Sequence, residues 1–223
     1  MRKLRTVSEQ CLVSALVAAL AVGPARWSWA DVVQKAGGNT PMGAVTAAGN
    51  GWNVTVPNGA IVHYSSFDLA AGQVVTFMNQ NAGGGDVRVL NRILSNAASN
   101  IDGTVTASGG NFFLYFVNPA GIVLGPNSQV INVTGLEAVG GHLSDTDFNR
   151  GIDHFTGVKG RVSNAGDITA SAVALVGGQV SNSGNVITEG GWIVMAAGND
   201  VLIGGPGDDV LDGGTGNNVL IQD

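Results

Sequence analysis

The segment 162–169, VSNAGDIT, returns as 180–188, VSNSGNVIT. Val162/Val180, Ser163/Ser181, Asn164/Asn182 and Gly166/Gly184 stand 18 residues apart. The spacing reads as 19 at Ile168/Ile187 and as 20 where 172–178, AVALVGG, is laid on 192–198, WIVMAAG. A period near twenty residues restricts the fold sharply, because one such unit cannot bury its apolar side alone and must stack on copies of itself. Asn and Gly at fixed places between β-branched runs point to the coils of a parallel β-helix, each lying ~4.8 Å from the last. Inward Val, Ile and Leu would form one continuous core, Asn side chains would stack at the turns, and Gly would supply positive φ. The competing arrangement is an antiparallel sandwich in which the repetition is coincidental.

The rest of the chain carries the same texture. Short β-branched or aromatic runs lie between Gly, Asn, Ser and Asp, at 52–56, 60–64, 73–78, 86–90, 112–117, 129–133 and 172–176. No apolar period of 3.6 residues lasts longer than about one turn after residue 31. Glycine supplies 35 of 223 residues, about twice its usual share, but without the three-residue period of collagen. Apolar residues make up 44%, enough for a buried core. The expected fold is therefore all-β: a right-handed parallel β-helix with an N-terminal cap and extra hairpins, ending in a short β-roll fragment.

Residues 1–30 read as a signal peptide. Three bases lie within 1–5, an apolar run spans 11–22, and Ser28-Trp29-Ala30 offers small residues before a cleavage site. A second cleavage position follows Ala25, and an N-terminal membrane anchor is the alternative reading, although the run is shorter than the ~20 residues a span needs. Cys11, the one cysteine, lies inside this segment and away from its end, which argues against lipidation. The chain after residue 30 then holds no thiol for disulfides or thiolate metal sites. It carries six bases against fifteen acids, net −9, and no Lys or Arg follows Arg161. Nucleic acid is excluded as a main partner, since phosphate neutralisation needs Lys and Arg.

Four segments in order resemble the N-terminal secretion domain of the filamentous haemagglutinin family, the large exoproteins of two-partner secretion. They are 50–78, in which His63-Tyr64-Ser65-Ser66-Phe67 stands for a W-x-S-F element; 87–94, VRVLNRIL, holding Asn91 and Arg92; 103–125, GTVTASGGNFFLYFVNPAGIVLG, holding Asn118-Pro119-x-Gly121; and 143–157, LSDTDFNRGIDHFTG. The coils from Val162 onward resemble the family's V-x-N-x-G-x-I coils. The likeness covers roughly 40–203. Two features depart from the pattern: the turn commonly reads Asn-Pro-Asn-Gly, and Ala120 replaces its second Asn; an Asn-Pro-Asn-Leu motif found in part of the family is absent. The turn is expected to tolerate Ala120, because Pro119 fixes φ and Gly121 permits unusual backbone angles. The resemblance implies recognition by an outer-membrane transporter barrel, export of an unfolded chain through the periplasm, and folding outside as a β-helix. It makes Asn91, Arg92, Asn118, Pro119 and Gly121 the candidate secretion motif, and adhesion to a host or neighbouring cell the expected role. Domain 31–198 would be the secretion domain.

Residues 199–223 carry a second pattern. GGPGDDVLD (204–212) and GGTGNNVLI (213–221), with a degenerate copy at 195–203, match the nonapeptide of haemolysin-type calcium-binding repeats. The phase holds at Asp200/Asp209/Asn218 and Leu202/Leu211/Leu220. In such a roll Ca²⁺ is held by oxygens from turns two repeats apart, which makes Asp200, Asp208, Asp209 and Asn218 the candidate ligands. The alternative is that 195–203 is the last coil of the secretion domain.

Asp145, Asp147 and Asp153 cluster in sequence with His142 and His154. Paired carboxylates on a β-helix suit glycan chemistry, so a glycan-acting enzyme using 142–155 is an alternative; a solvated loop is the plainer account. No nucleophile elbow, phosphate loop or zinc spacing is present. Phe112, Phe113, Tyr115 and Phe116 read as core and sheet packing. The leading expectation is a non-enzymatic exoprotein domain. A calcium-triggered folding module is the third class, and self-association through an open end of the coil stack is expected.

Overall fold

A computed structural model describes residues 30–81 and 83–203 together with the backbone of 218–221. The expected targeting segment up to residue 29, and Asp208 and Asp209, lie outside the described residues.

The chain enters through β1 (Val32–Gly38) and β2 (Val45–Ala47) and then winds. The first turns carry β3 (Gly51–Val56), β4 (Ala60–Phe67), β5 (Val74–Asn79), β6 (Asp86–Ile93) and β7 (Ser99–Ile101). Next come β8 (Thr104–Ser108), β9 (Asn111–Val117), β10 (Gly121–Leu124), β11 (Gln129–Val130) and β12 (Gly135–Val139). An excursion follows: β13 (His142–Leu143), helix α1 (Asp145–Arg150) and β14 (Asp153–Thr156). Winding resumes with β15 (Arg161–Asn164), β16 (Asp167–Thr169) and β17 (Ala172–Gly177), and makes one more turn through β18 (Gln179–Asn182), β19 (Asn185–Ile187) and β20 (Trp192–Ala197). The last described strands are β21 (Asp200–Ile203) and β22 (Asn218–Ile221).

Three sheets run along the stack. The first long sheet has the order β1-β4-β6-β9-β12-β17-β20, the second β19-β16-β11-β8-β5-β3-β2, and a short one β18-β15-β10-β7. Their pairings are parallel except β1 with β4 and β2 with β3, which are antiparallel and cap the starting edges of both long sheets. Covering those edges removes open rows of N–H and C=O groups. The expected β-helix with an N-terminal cap is thus the fold. A fourth sheet, β13-β14-β21-β22, lies outside the coil and carries the extra hairpin.

Alternation along each strand follows from the two-residue period of extended chain. In the first long sheet Val89, Leu114, Leu136 and Val173 lie in one register row and face the helix axis. The next row out, Leu90, Tyr115, Glu137 and Ala174, faces the other way, into a second core shared with Leu143, Phe148, Phe155 and Val201 of the flanking elements. The sheet is buried on both faces, which is why its strands read as nearly continuous apolar runs.

The repeat is realised as stacked rungs. Val162 pairs with Val180 and Asn164 with Asn182, and the Asn164 Nδ2 donates to Asn182 Oδ1 at 2.8 Å. The expected 19-residue step is corrected: Ile168 pairs with Val186, and Ile187 pairs with Thr169. The register stays at 18 because Val186 packs on the core while Ile187 points outward, 54% exposed. The two extra residues that make the 20-residue step from Ala172 to Trp192 fall in the turn before β20. The strand expected over 129–133 is only two residues long, since Asn132 turns the chain at φ 57°. Where a loop was expected at Asp147-Phe148 the chain forms α1, capped by Ser144, whose Oγ accepts from the Asp147 N–H, and ended by left-handed Gly151 at φ 72°. Six residues are too few to show a helical period, and Phe148 is the one buried side chain in it.

Candidate recognition corner and the flanking insertion

The five residues of the candidate motif divide by depth. Asn118 is fully buried at the corner between β9 and β10. Its Nδ2 donates to the Ala97 carbonyl at 3.0 Å and to Ser99 Oγ at 3.1 Å, which ties this turn to the one before it. Its Oδ1 accepts from the Ala120 N–H at 2.9 Å, and the Gly121 N–H closes a turn onto the Asn118 carbonyl at 2.9 Å. Position 120 contributes its backbone N–H to this turn, which explains why Ala can stand where Asn is common. Gly121 sits at φ 112°, and a Cβ there would lie 2.5 Å from the Arg161 carbonyl oxygen in the next coil. Both facts demand glycine. Pro119 is half-buried.

Asn91 and Arg92 are neighbours on β6 and so face opposite ways. Asn91 is fully buried. It accepts from the Tyr64 hydroxyl at 3.0 Å and donates to the Tyr115 carbonyl at 3.2 Å. Complete burial pushes the Tyr64 hydroxyl far up, so it remains a donor at any working pH. Arg92 points outward and pins the insertion to the sheet: Nη2 donates to the Leu143 carbonyl at 2.7 Å and pairs with Asp145 at 2.6 Å, while Nη1 lies 3.2 Å from His63 Nε2. Partial burial, and then the Arg92 charge, lower the His63 pKa, and Asp145 opposes that shift.

The acidic cluster read from 142–155 is dispersed. Asp145 pairs with Arg92, Asp147 accepts from Ser144 Oγ at 2.7 Å with His154 Nδ1 at 3.9 Å, and Asp153 turns toward Glu137. The carboxyls that do meet, Glu137 and Asp153, come from β12 and β14. Glu137 was missed at the sequence level; the one signal was a lone acid inside the apolar strand GLEAV. Burial first, and then the Asp153 carboxyl, raise the Glu137 pKa well above the carboxylate range. Burial also raises Asp153, with the Arg88 charge opposing. Arg88 lies against the Tyr115 and Phe148 rings, 5.3 and 4.9 Å from their centroids, and donates to the Phe148 carbonyl and the Tyr115 hydroxyl.

In the tail, β21 and β22 pair in parallel with Asp200 opposite Asn218. That is an 18-residue step, the same as between β15 and β18. Asp200 Oδ1 accepts from the Gly157 N–H at 3.1 Å.

A parallel coil capped at its start, with a buried Asn corner and a flanking hairpin on one face, defines a capped parallel β-helix domain. The TPS secretion domain family model matches residues 30–222, and the chain belongs to that family. A similar solved structure is the crystal structure of the HMW1 secretion domain from Haemophilus influenzae. It is 25% identical with a TM-score of 0.61, over 77% of this chain and 45% of that one. This chain thus spans less than half the length of that relative. No curated protein matches. The family is a secretion domain and not an enzyme class. Membership makes the chain a secretion domain.

Proposed function

We propose that the chain is the export-addressing module of an adhesin-type exoprotein. Residues 1–30 direct it to the periplasm, the partner barrel reads the segments around Asn91-Arg92 and Asn118-Gly121, and the chain is passed out unfolded and winds up at the cell surface. The observation that supports this most is the burial of Asn91 and Asn118 in the folded domain. Their side chains are available to a receptor only before folding, when an extended segment can add to strands of the barrel's recognition repeats. Once outside, the capped first turns give each later rung a ready edge.

The test is secretion in cells that carry the partner barrel. Asn118→Ala and Asn91→Ala are expected to reduce secreted protein and leave the chain in the periplasm, as is deletion of 79–125. Normal secretion of both substituted chains, with only a lowered stability of the refolded domain, would restrict these residues to architecture and remove the recognition role.

A second reading concerns the tail. Asp200 and Asn218 stand in register two nonapeptides apart, the relation a calcium roll needs. In this reading Asp200 with the turn ending at Asn218 holds one Ca²⁺, Asp208 and Asp209 belong to a second, incomplete site, and the cation offsets the repulsion between the acidic turns. Circular dichroism of the mature chain and of a 195–223 deletion, with and without calcium, tests it. A calcium-dependent change in the full chain alone is expected; identical spectra remove the cation.

A further inference from the structure

The two ends of the coil are finished differently. At the start, β1 and β2 pair antiparallel and cover the long sheets, and a parallel bridge from Leu69 to Ile101 covers β7. At the far end β18, β19 and β20 are the last strands of their sheets and, among the described residues, pair on one side only. Each inward row breaks off there. Val162, Ile168, Val173 and Leu175 are fully buried; of their successors, Val180 and Val186 are half-buried and Ile193 and Met195 are exposed. Native sheets guard open edges with Lys, Pro or inward-pointing charge. Residues 179–197 contain no Lys, Arg or Pro, and Glu189, in the turn before β20, is their one charged side chain. The end is built as a sheet edge that pairs, with nothing placed to prevent it.

Length and charge select the occupant. The chain between β21 and β22, residues 204–217, is shorter than one 18-residue rung. Because β21 and β22 are parallel, it must also return from the end of one to the start of the other. Its aliphatic residues are Val210 and Leu211, set among Asp208, Asp209 and Asp212. It has neither the length to pair three open edges nor the side chains to cover four aliphatic ones. A second copy of the chain has both. After residue 30 each copy holds six bases against fifteen acids, yet the rung at this end holds a single acid. Two copies therefore repel over most of their surface and least here. A twofold axis across the coil sets β20 antiparallel to its own counterpart, so each edge meets unpaired N–H and C=O groups like its own.

We propose that the far end of the coil is a self-association surface on which a second copy of the chain docks end to end, with β20 pairing antiparallel with β20 of the other copy and Ile193 and Met195 packing against their counterparts. Such an interface closes on itself, so assembly stops at two copies. It lies away from the Asn118 corner and stands independently of the export reading.

The test uses the whole chain after residue 30, which holds no cysteine, so a single thiol placed at the end reports on its own cover. Sedimentation equilibrium is expected to show the mass rising from one copy at ~5 µM toward two at ~500 µM, as mass action on a small interface requires. Ile193→Lys should hold the chain as a single copy at both concentrations with unchanged far-ultraviolet dichroism, because position 193 is exposed in the isolated copy. Maleimide labelling of Met195→Cys should slow about threefold or more between the dilute and the concentrated sample. Val74→Cys, exposed on the outer face of the second long sheet, should label at one rate in both. A single copy at ~500 µM overturns the proposal. It is also overturned by a pair that Ile193→Lys leaves intact, by assembly beyond two copies, or by a Met195→Cys thiol shielded equally at both concentrations, which would mean that the chain covers its own end.

Discussion

The first turns of the coil and the last are built to different gauges. Between β4 and β6 the chain advances from Ala60 to Val89, and between β5 and β8 from Val74 to Thr104, 29 and 30 residues per turn. Between β15 and β18, and between β16 and β19, the step is 18. The interiors differ to match. Early turns hold an aromatic stack, with Tyr64 on Phe67 at 5.1 Å, Phe67 on Phe116 at 4.9 Å and Phe116 on Phe77 at 6.0 Å between centroids. Late turns hold Val162, Ile168, Val173 and Leu175. A longer turn encloses a wider section that only rings fill at crystal-like density. The two ends differ as well: β1 and β2 cover the starting edges, whereas Ile193 and Met195, which continue the inward rows of Val173 and Leu175, are 44% and 45% exposed.

The comparison breaks first at its cores. Phe116→Ala is expected to cost about 3–5 kcal/mol, because it removes a ring that two others contact, whereas Leu175→Ala near the exposed end should cost about 2–3 kcal/mol. Urea midpoints of the two variants measure the difference. Equal losses would show that the aromatic turns carry no extra share of stability. The turns should then be tested at their buried amides. Asn118→Ala strips three hydrogen bonds from a closed corner and is expected to cost about 2 kcal/mol; Asn164→Ala also strips three, two to Gly166 within its own turn and one to the exposed Asn182, and should cost somewhat less, about 1.5 kcal/mol.

The same difference of gauge decides what could be read in the sequence. Rungs of minimal length leave no room for insertions, so Val162/Val180 and Asn164/Asn182 stayed aligned and disclosed the coil. The early turns vary from 23 to 30 residues in the second long sheet, and no self-similarity survives there. Those turns were legible only through the family likeness. The Asn118-Pro119-x-Gly121 turn was legible because a positive φ and a close backbone approach permit few residues. The pairing of Glu137 with Asp153 was not, because it joins a coil strand to an excursion through tertiary packing that no local period encodes. The helix α1 was hidden by its length.

That carboxyl pair sharpens the comparison between the two faces of the first long sheet. Burial raises both groups above the ordinary carboxylate range. A raised carboxyl contributes stability in full below its unfolded-state pKa and loses it as pH rises through the folded value. Arg88 and the Tyr115 hydroxyl face the pair, and Asp86 lines the cavity beside it. Stability should therefore fall as pH rises above the ordinary carboxylate range. Glu137→Gln, whose amide can donate to Asp153, should flatten the profile and exceed the wild type at pH ~8. A wild-type profile that already matches the variant would mean the pair ionises freely.

The smallest effect belongs to the tie at Arg92. Asp145 approaches Arg92 at 2.6 Å but is 56% exposed, so water and salt screen the pair. Arg92 also keeps its bond to the Leu143 carbonyl, and Phe148 and Phe155 stay buried against the sheet whether or not Asp145 is present. Asp145→Ala should therefore cost less than about 1 kcal/mol and lose even that at high salt. It should also lower the His63 pKa further, since Asp145 is the group that holds it up, and this can be followed by NMR titration of the imidazole. A loss above about 2 kcal/mol would mean that the insertion hangs on one surface ion pair and not on its apolar underside. The outer face of the sheet would then be a second core in geometry alone.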